Sequence, residues 1–153
     1  MTTAPIKTLV LGLTVGLGLA YGPTVPAAFA QRQYYDTSYT YSPTYSYYYV
    51  RYYYRPVPTY TTYDYHYCIY YPSQPSYIYY YNPVNQVYWG RYKIGSKGDE
   101  RYSILADKDR KKDLKDIPES AFPEPAAMPK IPGSKDGEAM SPPPENVPKD
   151  EPK

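Results

Sequence analysis

Outside an apolar opening stretch at residues 8–20, the chain carries its hydrophobic positions mostly as tyrosine, in patterns that change along its length. Tyr39, Tyr41, Tyr45 and Tyr47 are separated by odd numbers of polar partners, a period-two habit of extended chain. Residues 47–54 place aromatics on both faces of any strand they form. Pro43, Pro56, Pro58, Pro72 and Pro75 interrupt this half. Each lacks an N–H, so strands before residue 75 are expected to be short or at edges, within polyproline-like, loosely extended chain. Residues 77–81 then read as a strand, 82–85 (Asn-Pro-Val-Asn) as a turn, 86–92 as a second strand, 95–98 as a turn, and 101–105 as a third strand. Simple alternation places Val87, Trp89 and Arg91 on one face, with Gln86, Tyr88, Gly90 and Tyr92 opposite. Trp89, the largest side chain there, is the expected hub of a miniature core. Asp107 is placed to cap a short charged helix running to about residue 116, with Leu114 and Ile117 as its apolar contacts and Pro118 at its end.

Composition turns this outline toward disorder. Of the 25 Tyr, 23 fall in residues 31–92, with Arg32, Arg51, Arg55 and Arg91 against Asp36 and Asp64. Beyond residue 30, Leu, Ile, Val and Phe number only 14 of 123 residues, about 11 %, well under the ~20 % below which chains tend to remain unfolded. Residues 93–153 hold one Tyr, 10 Pro and closely balanced charges. From residue 118 the chain reads as a Pro/Lys/Glu-rich disordered tail, with residues 142–144 in polyproline II. The expected fold class is therefore mostly disordered and low-complexity, with a small all-β unit, a three-stranded antiparallel meander at about 76–105, followed by a short helix. The corresponding segments are 1–30, 31–75, 76–117 and 118–153.

Residues 1–30 read as a secretory signal peptide. Lys7 supplies a weakly positive start, residues 8–20 an apolar stretch of 13, and Ala28-Phe29-Ala30 a small-residue site for cleavage between Ala30 and Gln31. An uncleaved anchor is the rival reading, but about 20 apolar residues are needed to cross a bilayer. The expectation is export to the periplasm, the cell surface or beyond, with no transmembrane segment after cleavage.

Tyr81-Asn82-Pro83 leading into Tyr88-Trp89-Gly90-Arg91-Tyr92, then Pro118-Glu119-Ser120-Ala121-Phe122-Pro123 and Ser134-Lys135-Asp136-Gly137, resembles a group of uncharacterised secreted bacterial proteins. In that group a signal peptide and an aromatic- or Pro-rich stretch precede a Tyr-Trp-Gly-Arg segment. The resemblance spans about residues 77–148; it implies export and supplies no site.

Asp64, His66 and Cys68 form the sharpest constellation. On a strand, residues i, i+2 and i+4 share a face, and these three are ligand types for Zn or Cu. Alternate residues stand about 7 Å apart, whereas metal bonds of about 2.0–2.3 Å require convergence. A periplasmic metal-binding protein is thus the alternative function, and a polar stripe on an exposed strand is the plainer explanation. The same spacing keeps a Cys-His-Asp nucleophilic triad from assembling, so no enzyme and no cofactor are expected. Cys68 alone is read either as an intermolecular disulfide or free thiol, or as a small buried side chain. Near-balanced charge gives no groove for phosphates and argues against nucleic acid. The tyrosines join an apolar face to a hydroxyl at low ordering cost. The leading expectation is an exported, non-enzymatic structural or interaction protein whose tyrosine tract self-associates or adheres to a surface of the cell envelope or matrix.

Overall fold

Tyrosine-rich segments, punctuated by prolines in the connections, build one antiparallel sheet. The computed structural model describes residues 31–150; the expected signal peptide, and with it the Ala30 side of the expected cleavage site, lies outside the described residues. The strands are β1 (Gln33–Tyr35), β2 (Thr40–Ser42), β3 (Tyr47–Tyr54), β4 (Asp64–Tyr70), β5 (Tyr77–Asn82), β6 (Val87–Lys93) and β7 (Tyr102–Ile104). They pair in the order β1-β3-β4-β5-β6-β7, with β2 also on β3. β1 pairs with the last residues of β3 and β2 with its first, so the two lie end to end as one interrupted edge strand.

The expectation of a mostly disordered chain with a small meander is overturned. The meander's three strands recur as β5, β6 and β7, but they are one end of a seven-stranded sheet. Two features of the composition point the wrong way. Pro43, Pro56, Pro58, Pro72, Pro75 and Pro83 all fall in connections between strands, where a missing N–H costs no ladder bond. Tyrosine also does the burying that Leu, Ile and Val usually do: Tyr52, Tyr80, Tyr92 and Tyr102 are among the largest fully buried side chains.

Both faces are packed. On the first, Tyr48, Val50, Tyr52, Tyr54, Cys68, Tyr70, Ile78, Tyr80, Trp89, Tyr92 and Tyr102 gather with Ile131 and Met140 of the C-terminal segment. That segment is ordered against the sheet, where a disordered tail was expected. On the second face, Ile69, Tyr79 and Tyr88 pack with Leu105 and Ile117. The expected helix at 107–116 is replaced by separate 3-10 turns at Asp107–Asp109 and Leu114–Asp116, neither with a side-chain cap. Between them the chain is drawn out along β6, where the Lys111 carbonyl accepts the Tyr88 N–H at 2.8 Å.

Simple alternation along β6 also fails, because of a bulge. Tyr80 pairs with Gly90 and Tyr81 with Tyr88, leaving Trp89 as the extra residue. Trp89 therefore shares the first face with Tyr92, while Tyr88 and Arg91 share the second. Gly90 is needed beside it: a Cβ there would lie 2.8 Å from the Tyr102 hydroxyl and 2.9 Å from the Ser103 carbonyl oxygen.

Candidate functional site

The part of the second face formed by β1, β3 and the start of β4 is only partly covered. Period two along β3 sends Tyr47, Tyr49, Arg51 and Tyr53 to this face, and pairing sets Tyr34 beside Tyr53, Tyr65 beside Tyr53, and Tyr67 beside Arg51. The rings form a connected ladder. Tyr34 stacks on Tyr53 at 4.7 Å, and Tyr63 meets Tyr34 edge-on at 5.0 Å. Tyr53, Tyr65, Tyr67 and Tyr49 continue it at centroid spacings of 5.9, 5.5 and 5.3 Å. Tyr34 and Tyr65 are 36 % and 38 % exposed.

Charge on this platform is neutralised locally. Arg51 Nε donates to Asp36 at 3.0 Å, its backbone N–H donates to the same carboxylate at 2.9 Å, and its guanidinium lies 5.3 Å from the Tyr53 ring centre. Burial shifts the Tyr53 and Tyr67 hydroxyls upward and lifts that of Tyr47 to about 12, so these three phenols stay protonated and able to donate. The platform runs into a groove of about 300 Å³ walled by Tyr45, Tyr47, Tyr67, Tyr81 and Tyr88, with Lys112 and Asp113 at its rim. The Tyr71 and Tyr88 hydroxyls are hydrogen-bonded at 2.8 Å at that edge.

Asp64, His66 and Cys68 do share one face of β4, opposite the platform. Their environments differ: Asp64 is exposed, His66 is 6 % exposed, and Cys68 is fully buried. His66 Nε2 contacts the Tyr54 hydroxyl at 3.1 Å, and its ring meets Trp89 edge-on at 5.3 Å. Desolvation lowers the His66 pKa to about 4 and raises that of the Cys68 thiol, favouring neutral forms of both. Among the described residues, no group of three His, Cys, Asp or Glu side chains is assembled to hold a metal ion. Trp89 sits among His66, Tyr80 and Tyr102, with ring centres 5.3, 5.3 and 5.9 Å away. Gln31 reaches the sheet through its carbonyl, which accepts from Arg55 at 3.2 Å and from the Tyr63 hydroxyl.

Composition marks the tyrosine tract as a whole without saying which rings remain accessible. Odd positions from 47 to 53 with 65 and 67 carried that information, once β3 and β4 were paired. Among the described residues, no helix is long and apolar enough to cross a membrane. No family model, curated protein or solved structure matches the chain.

Proposed function

We propose that this chain is an exported, non-enzymatic attachment module whose tyrosine platform lies against an extracellular polysaccharide. The observation that carries the reading is the ladder of half-buried, mutually braced rings at Tyr34, Tyr53, Tyr65, Tyr67 and Tyr49. Such rings are held in place before a partner arrives, so little side-chain entropy is lost on contact. A pyranose offers an apolar C–H face to a phenol ring and hydroxyls to its oxygen, matching both halves of tyrosine. The platform's arginine is already paired with Asp36, which suits a neutral partner better than a polyanion. The leader sequence supports an extracellular place of work.

Pairing between sheets of separate molecules is less well supported. One edge is split into two three-residue strands. At the other, Tyr102 of β7 already exchanges backbone hydrogen bonds with Ala126 at 3.0 and 2.8 Å. Interrupted or covered edges disfavour strand addition.

The test is adsorption of the full chain to insoluble cellulose, chitin and peptidoglycan sacculi. Tyr34→Ala with Tyr65→Ala should weaken adsorption by about tenfold, since each ring contact is worth roughly 0.5–1.5 kcal/mol. Tyr60→Ala, at an exposed position in the β3–β4 connection, should leave it unchanged. Failure to adsorb to any of the three, or adsorption indifferent to the double substitution, would contradict the proposal.

A further inference from the structure

The opposite face of the sheet holds the C-terminal segment in a way that depends on its proline content. Residues 141–148 form neither strand nor turn, and Pro142, Pro143 and Pro144 favour polyproline II, a helix of three residues per turn with no internal hydrogen bonds. One edge of such a helix presents every third residue. The contacts follow that period. The Tyr35 hydroxyl donates to the Ser141 carbonyl at 2.7 Å, and the Tyr39 hydroxyl to the Pro144 carbonyl at 2.7 Å. Val147 packs against the core, and the Tyr48 hydroxyl donates to the Asp150 carbonyl at 2.6 Å.

Further hydrogen bonds fix the two ends of the proline run. The Ser141 N–H donates to Gln33 Oε1 at 2.8 Å. The Glu145 carboxylate accepts from the Tyr92 hydroxyl at 2.9 Å, the Gly95 N–H at 3.1 Å and Arg101. Aromatic rings that donate to the carbonyls of a preformed proline helix are a general solution for recognising proline-rich peptides. Here the peptide is the protein's own.

We propose that this groove is a polyproline receptor, and that residues 140–150 exchange with the same segment of a second copy of the chain, linking molecules tail to sheet. Exchange replaces every contact of the seated segment with an identical one, which makes swapping a low-cost route to association. The turn at 132–137, with Gly133 and Gly137 at positive φ, folds the tail back and serves as the hinge. Opened out, six residues reach about 20 Å. The platform on the other face stays accessible in the linked form, so this proposal stands or falls independently of polysaccharide binding.

Two measurements on the full chain test it: its mass in solution from roughly micromolar to millimolar concentration, and the uptake of a fluorescent peptide copying residues 140–150. Saturable peptide uptake is expected, together with linked chains that grow with concentration and are dispersed by excess peptide. Tyr35→Phe and Tyr39→Phe remove a donor from the seated and the exchanged form alike, so each should leave the extent of linking unchanged and speed exchange of the segment roughly fivefold. A chain that takes up no peptide overturns the proposal. So does peptide uptake without linked chains at millimolar concentration, and so does association indifferent to excess peptide.

Discussion

A buried phenol needs a partner for its hydroxyl, and the sheet supplies one for most of its buried rings, the Tyr102 hydroxyl being an exception. Tyr35 and Tyr80 share a hydrogen bond at 3.0 Å, Tyr52 donates to Gln33 Oε1 at 2.7 Å, and Tyr79 donates to Gln74 Oε1 at 2.7 Å. Satisfied in this way, tyrosine buries its ring at little polar cost. On the acid side, His66 is a residue whose burial has a measurable consequence. Its pKa falls from 6.5 to about 4 on folding, so between those values the unfolded chain binds the extra proton. Stability on this account is complete above about pH 6.5 and is lost as pH falls toward 4, by up to about 3 kcal/mol. Urea unfolding at pH 7 and pH 4.5 should show this loss, and His66→Gln should flatten it whatever its effect at pH 7. An unaltered pH slope in that variant would show that His66 is not the group responsible.

At the scale of elements, the segment from 105 to 122 is clamped to the second face through Arg91. The guanidinium lies between Tyr77 and Phe122, with its central carbon 3.8 and 4.0 Å from the ring centres, and donates two bonds to Glu119 at 2.7 and 2.5 Å. Glu119 is largely exposed whereas the Arg91 side chain is buried. An exposed partner makes the ion pair the smaller part, within about 1 kcal/mol, and leaves stacking and buried contact as the larger. Glu119→Gln should therefore cost under about 1 kcal/mol, while Arg91→Ala should cost about 2–3 kcal/mol and speed hydrogen exchange at Ile117 and Phe122. Equal costs for the two variants would show that the ion pair governs.

The strands and turns after residue 76 were legible in the sequence, because Asn82-Pro83 and the glycines at 95 and 98 mark turns between alternating runs. The bulge at Trp89 was not, since no residue there breaks the alternation; it becomes visible when β6 pairs with β5 and Gly90 has to fit under Tyr102. The helix expected after Asp107 reflected local capping chemistry, which lost to hydrogen bonding along β6. Asp64, His66 and Cys68 were correctly assigned to one strand face, but alternation alone could not distinguish an exposed Asp64 from a sealed Cys68.

For the whole molecule, the issue is where the phenol rings spend their free energy. A tract of stickers would keep its rings in water until molecules meet, whereas this sheet holds Tyr48, Tyr52, Tyr54, Tyr70, Tyr79, Tyr80, Tyr88, Tyr92 and Tyr102 inside one chain. Tyr34, Tyr45, Tyr60 and Tyr65 are the exposed members. Burial raises the pKa of Tyr54 and Tyr92 to about 12 and also moves those of Tyr52, Tyr80 and Tyr102 well upward. Above about pH 10 the unfolded chain releases phenolic protons that the folded chain retains, so alkali destabilises the fold. Spectrophotometric titration of phenolate on the dilute, monomeric chain tests this most directly. A minority of tyrosines should ionise near pH 10, and the remainder together, with loss of the sheet, at a pH well above it. A single transition near pH 10 that includes all the tyrosines would place the rings in water and contradict the internal core.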